Sequence, residues 1–146
     1  MNDEQLRSFV APDAQPYLDS ICAMLNAPFC VALGLTPVHI GRETVVLQMR
    51  IRPQDRNSNG FAHGGVIYSL MDHTYAILTN IDGHAVGQSS YESFYRPGRG
   101  NLLTAEARYI NVSKSLYTVE VSVTDEGGKL VASGTFTAFR LQEIKK

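Results

Sequence analysis

The chain lacks most of the signals by which enzymes and binding modules are recognised. It has two cysteines in 146 residues, Cys22 and Cys30, with no Cys-x-x-Cys spacing and no neighbouring histidine. That environment argues against redox or nucleophilic thiol chemistry and leaves both to a core or an interface as small apolar side chains. No segment approaches the roughly 20 consecutive apolar residues of a membrane span. Asp3, Glu4 and Arg7 precede any apolar run, which speaks against a secretory signal, and a cytoplasmic protein is expected. Basic residues number 13 against 14 acidic, a net charge of −1, so no overall basic field exists to hold nucleic acid or an anionic membrane. Also missing are the Gly-x-Ser-x-Gly elbow of serine hydrolases, the Gly-x-x-x-x-Gly-Lys-Ser/Thr loop of nucleotide-binding proteins and any His-x-x-x-His pair. A metal set drawn from His63, Asp72, His73 and His84 fails on helix geometry, because consecutive residues such as Asp72 and His73 diverge by about 100°. Neither a metal nor a redox cofactor is expected.

What is present suits a single domain over residues 1–146, since 44% of the residues are apolar. Its first part, about residues 1–30, reads as a helical extension. Apolar Tyr17, Ile21, Met24 and Leu25 predict a helix over residues 14–27, capped by Asp13 and stopped by Pro28. From Phe29 to Leu35 the pattern fits no one form. From Val38 the period becomes two: Val45, Leu47, Met49 and Ile51 alternate with Val46, Gln48, Arg50 and Arg52, a half-buried strand entered by a turn near Gly41-Arg42. A polar loop, residues 53–60, leads to a helix from about His63 to Asn80 with an apolar stripe through Ile67, Leu70, Met71, Thr74, Ile77 and Leu78. Its other face, Gly65, Tyr68, Ser69, Asp72, Ala76 and Thr79, is small and mixed, suited to packing against a second copy. Four strands follow, residues 85–95, 102–111, 115–124 and 129–141, separated by turns that predict an antiparallel meander. The first is unusually polar at Gln88-Ser89-Ser90-Tyr91-Glu92-Ser93. One long helix against one curved antiparallel sheet makes an α+β domain.

The segment Asn57-Ser58-Asn59-Gly60-Phe61-Ala62-His63-Gly64-Gly65 carries the chemistry. The first N–H groups of a helix have no intrahelical partner and sit at the positive end of its dipole, so an entry through His63-Gly64-Gly65 offers donors to an oxygen. Aimed at a carbonyl, such an amide stabilises the charge that develops on attack. Asp72 is the candidate base. It lies eight residues after Gly64, and at about 1.5 Å of rise per residue the two are roughly 12 Å apart along one helix. A base must come within about 3 Å of its target or its water, so one carbonyl cannot use both groups of one chain. Two antiparallel helices related by a twofold axis would bring Gly64 of each copy towards Asp72 of the other, which predicts an obligate homodimer.

Asn57, Gly60, His63, Gly64, Gly65 and Asp72, with Phe94-Tyr95-Arg96-Pro97 and Gly128-Lys129-Leu130-Val131-Ala132 further on, resemble the hotdog-fold thioesterases of the phenylacetate-pathway, PaaI-like branch, over about residues 30–141. The resemblance implies one long central helix wrapped by a curved antiparallel sheet. It also implies a homodimer, commonly doubled into a tetramer, with active sites between subunits, and an acyl-CoA thioester as substrate. Carried over, the Gly64 amide would polarise the thioester carbonyl, and Asp72 of the partner subunit would activate water or attack directly. Asn57 and His63 would shape the site. A strand hydroxyl, Ser89 or Ser90, would position water, although Gly87 falls where some relatives place that hydroxyl. Gly60, Gly65 and Tyr68 would stand beside the substrate, Arg96, Arg99 and Lys114 would meet the coenzyme's phosphates, and Arg56 is a further basic residue in reach of that role. Tyr68, Tyr75, Tyr91, Phe94 and Tyr95 are candidates to line an acyl pocket. The alternative is a noncatalytic acyl-CoA-binding hotdog protein, and a dehydratase is a weaker third.

Overall fold

A computed structural model of the chain describes residues 1–141. The chain opens with short helices α1 (Asp3–Arg7), α2 (Leu18–Leu25) and α3 (Pro28–Leu33). Strands β1 (Leu35–Ile40) and β2 (Thr44–Arg50) form a hairpin, and the polar loop leads into the 17-residue α4 (Gly64–Asn80). Strands β3 (Ala85–Phe94), β4 (Leu102–Val112), β5 (Leu116–Thr124) and β6 (Leu130–Arg140) complete it.

Helix α4 is the axis of the fold. Its stripe of Ile67, Leu70, Met71, Thr74, Ile77 and Leu78 is buried throughout, against alternating inward residues of the sheet such as Leu47 and Met49 of β2, Ala105 and Ala107 of β4, Val119 and Val121 of β5, and Phe136 of β6. Each fully buried Leu, Ile or Phe among them contributes about 1.5–3 kcal/mol relative to exposure, so the helix is held by packing more than by propensity. On its opposite face Gly65, Tyr68 and Asp72 are exposed, and Ser69 and Ala76 are half-buried. Thr79 departs from that expectation: it is buried, and its hydroxyl donates to the Tyr75 carbonyl at 3.1 Å.

Two further expectations are corrected. The helix predicted over residues 14–27 is a 3₁₀ turn, Gln15–Tyr17, followed by the shorter α2. Pro16 favours a helix start there, and Asp13 is not the cap, since its carboxylate accepts the Arg42 amide at 3.3 Å. Pro28 not only ends one helix but begins the next, and α3 stops at Gly34 in the left-handed conformation, φ 69°. The second correction concerns the sheet, whose strand order is β1-β2-β4-β5-β6-β3, antiparallel throughout. Strands β4, β5 and β6 form a meander, but β3 pairs with β6 rather than β4, whose two edges are taken by β2 and β5. The connection over residues 95–101 crosses the β5–β6 turn and is tied to it. The Arg99 amide donates to Asp125 at 3.2 Å, and the Asn101 amide to Glu126 at 2.8 Å. Strand β3 therefore forms one edge of the sheet, and its outer side is unpaired among the described residues. No helix among those residues is long and apolar enough to cross a membrane.

Candidate active site

The loop before α4 is built to present one amide. Asp55, buried, accepts hydrogen bonds from the Arg52 side chain at 2.8 and 2.9 Å and from its amide at 2.8 Å. These hold its carboxyl below the usual range against the opposing effect of desolvation. Its own carbonyl accepts the His63 amide at 2.8 Å, fixing the entry to the helix. Asn57 shapes the loop from inside, its Oδ1 accepting the amides of Asn59 at 3.0 Å and Phe61 at 3.1 Å. Gly60 completes that turn at φ 82°, a conformation glycine adopts without strain. Arg56 is committed to the same loop through Gly60 and Asn101.

His63 is the N-cap of α4, its Nδ1 accepting the Gly65 amide at 2.9 Å, which places the ring N–H on Nε2. A Cβ on Gly65 would stand 3.1 Å from that Nδ1, so glycine keeps the cap close. The His63 carbonyl takes the amides of Val66 and Ile67. Of the first N–H groups of the helix, Gly64 alone has no partner among the described residues. It opens on a cleft of about 440 Å³ lined by Asn57, Phe61, Phe94, Tyr95 and Arg96 among others.

Asp72 lies in a different cleft, of about 360 Å³, with Tyr68, Tyr75, Gly87, Ser89, Ser90 and Phe136 in its walls. Desolvation raises its carboxyl above the ordinary aspartate value. The neighbouring His73 opposes that rise and the charge of Glu92 adds to it. His73 itself turns towards α2, its Nε2 3.2 Å from the Met24 carbonyl, and burial lowers its pKa. The pairing of β3 with β6 separates the two serines. Ser90 lies opposite the buried Phe136 and its Oγ is 3.3 Å from the Tyr68 hydroxyl, on the helix side, whereas Ser89 lies opposite Thr137 beyond a bulge at Gly87/Ser89.

Most of the expected site residues thus fall into two groups within one protomer, with Arg99 and Lys114 outside both. Asn57, Gly60, His63, Gly64, Gly65 and Arg96 gather at the start of α4. Tyr68, Asp72 and Ser90 gather further along it. Arg99 lies in the connection beside the β5–β6 turn. Lys114 is in the β4–β5 turn and lines neither cleft. Along β3, Phe94 stands beside Gly64, at 4.0 Å from where its Cβ would be, while Ser90 stands beside Tyr68. Glu92 lies between them. Its Oε1 is buried and finds no hydrogen-bond donor among the described residues.

Residues 59–132 match the model of the thioesterase superfamily. The chain belongs to that superfamily. The acyl-coenzyme A thioesterase PaaI of Escherichia coli is 30% identical to it over 75% of this chain and 81% of that one. A solved structure of the E. coli PaaI protein superposes with a TM-score of 0.84 at 26% identity, covering 89% of this chain and 96% of that one. A mutant of the phenylacetic acid degradation protein PaaI from Thermus thermophilus reaches 0.75 at 39% identity, covering 79% of this chain and all 100% of that one. The six-stranded antiparallel sheet around α4 is the hotdog fold of these neighbours. The chain is therefore a PaaI-like hotdog thioesterase, a thioester hydrolase. Tyr75, expected only as a candidate to line an acyl pocket, is in the wall of the cleft that holds Asp72, and the charge of Glu92 acts on that carboxyl. The three-residue step from Asp72 to Tyr75 on one helix was the readable signal for the tyrosine.

Proposed function

We propose that the protein hydrolyses an acyl-CoA thioester to a carboxylic acid and free coenzyme A, at sites shared between two copies of the chain. The Gly64 N–H of one subunit polarises the thioester carbonyl, and Asp72 of the partner subunit acts on it from the other side as the base towards water. The observation that carries this reading is the Gly64 amide, uncommitted among the described residues, in one cleft and the Asp72 carboxyl in another. Neither group has its complement within reach along a helix that separates them by roughly 12 Å. The unpaired edge of β3 runs beside both clefts and supports edge-to-edge pairing of two sheets, with a further doubling into a tetramer as the resemblance implies. Asn57 and His63 shape the loop, Gly60 and Gly65 let the backbone approach the substrate, and Tyr68 and Ser90 line the acid end. Arg96, in the Gly64 cleft, is placed to meet a phosphate, with Arg99 of the neighbouring connection as a further cation, whereas Lys114 lines neither cleft and has no part in this scheme. No metal or redox cofactor takes part in this scheme, and the protein works in the cytoplasm.

The reading is tested by release of free thiol from a panel of aryl and aliphatic acyl-CoA esters. Wild type should turn over at least one class, and Asp72→Asn should lower kcat by about 10²–10⁴-fold while acyl-CoA binding and the dimer survive. Binding without release by the wild type would favour the noncatalytic alternative, and undiminished hydrolysis by Asp72→Asn would remove Asp72 from the mechanism.

A further inference from the structure

Deprotonating a water does not by itself aim it, and the cleft that holds Asp72 contains a second group suited to that task. Tyr75 follows Asp72 by one helical turn, on the adjoining strip of α4. Its ring is clamped on Phe136, centroids 4.7 Å apart and planes at 34°, and the residue is only 5% exposed. Its hydroxyl nonetheless makes no hydrogen bond among the described residues. It is also not among the buried side-chain polar atoms left without a partner, so it keeps access to the cleft. A phenol held this rigidly, with its oxygen free, calls for a partner that arrives from outside.

Gly87 of β3 explains how the hydroxyl gets there. A Cβ built on Gly87 would collide with the Tyr75 hydroxyl oxygen, yet would stand 3.7 Å from Cζ, an ordinary van der Waals distance. Gly87 is not among the glycines in the left-handed region, so its backbone does not require glycine. The missing side chain is what leaves room for the tyrosine oxygen at the strand wall. Burial pushes the phenol up to about 12, with the charge of Asp72 and then Tyr68 adding, which keeps it a donor at neutral pH.

We propose that Tyr75 is a catalytic residue of this hydrolysis, its hydroxyl donating a hydrogen bond to the water that Asp72 deprotonates and so directing the free lone pair at the thioester carbon. The inference rests on the thioesterase reading above. In the step, the water oxygen bonds to the carbonyl carbon as Asp72 takes its proton. The C–S bond then breaks, the electron pair leaves with sulfur, and the proton passes to the thiolate, so thioester and water become acid and thiol.

The Gly87 geometry supplies a rescue test. Tyr75→Phe should lower kcat about 10- to 100-fold with KM changed less than about twofold, because the ring and its packing remain. Gly87→Ser alone should also lose rate, since its Cβ and the tyrosine oxygen compete for one place. The double variant Tyr75→Phe/Gly87→Ser, in which the vacated space admits a serine hydroxyl, should recover about tenfold of the loss, while Tyr75→Phe/Gly87→Ala, with a Cβ but no hydroxyl, should recover nothing. Full kcat in Tyr75→Phe, or equal rates in the serine and alanine double variants, overturns the role of the hydroxyl. If wild type releases no thiol from any ester of the panel, the thioesterase reading fails first and takes this inference with it. Circular dichroism and size exclusion on each variant separate lost chemistry from lost fold.

Discussion

Glu92 shows how a single side chain on the β3 edge bears on the chemistry. Its chain lies between sheet and helix where Gly134 leaves space, and its charge adds to the desolvation that raises Asp72. A base works in its ionised form, so activity falls as pH drops through its pKa. Glu92→Gln removes the charge at nearly constant shape, which lets Asp72 ionise at lower pH. The acid limb of the kcat/KM profile should therefore move towards lower pH in that variant, and a limb that stays in place would uncouple the two carboxylates. At this scale the sequence was partly legible. The paired glycines at the helix entry predict a donor end, and helix rise alone puts Asp72 out of its reach. Which amide stays free was not legible, because it depends on His63 Nδ1 engaging Gly65 and leaving Gly64. The serine facing the helix was hidden for a similar reason: the bulge at Gly87/Ser89 shifts the alternation on which such a choice depends.

Among the elements, those with strong periodicity were readable and those set by long-range pairing were not. The α4 stripe and the alternation of β5 name their buried residues, as Val119, Val121 and Val123 are wholly inaccessible. Apolar spacing continues through Pro16 and so suggests a longer N-terminal helix than forms, because local turn chemistry decides the conformation there. The position of β3 next to β6 had no local signal. It follows from both edges of β4 being occupied and from the hydrogen bonds that carry residues 95–101 across the β5–β6 turn. The polarity of β3, odd for a core strand, is now accounted for by its place at the sheet edge beside the clefts. Gly134 holds that edge close. A Cβ there would come within 2.8 Å of the Tyr91 carbonyl oxygen, 3.2 Å of Glu92 Cγ and 3.3 Å of Met71 Cε. Because one of these is backbone, Gly134→Ala should cost about 1–3 kcal/mol of stability through overpacking and weaken self-association, as seen by denaturant melts and analytical ultracentrifugation. Wild-type stability in that variant would mean that β3 shifts freely.

On the scale of the whole molecule, one protomer presents the Gly64 cleft, the Asp72 cleft and a β3 edge running past both that is unpaired among the described residues. The hotdog fold places a donor at one end of a rigid rod and an acid part-way along it, so the proposed chemistry requires a second copy. The most direct measurement mixes Gly64→Pro subunits with Asp72→Ala subunits. Proline suits the first helical position, and the preceding His63 already has the extended backbone that a following proline demands, φ −63° and ψ 139°. A Cβ there would meet nothing closer than Phe94 Cε1, 4.0 Å away, and the ring replaces the N–H. Each variant alone should be inactive, while a statistical mixture should regain activity as heterodimers form, each with one intact site of its two. Confirmed subunit exchange with no return of activity would contradict the shared site.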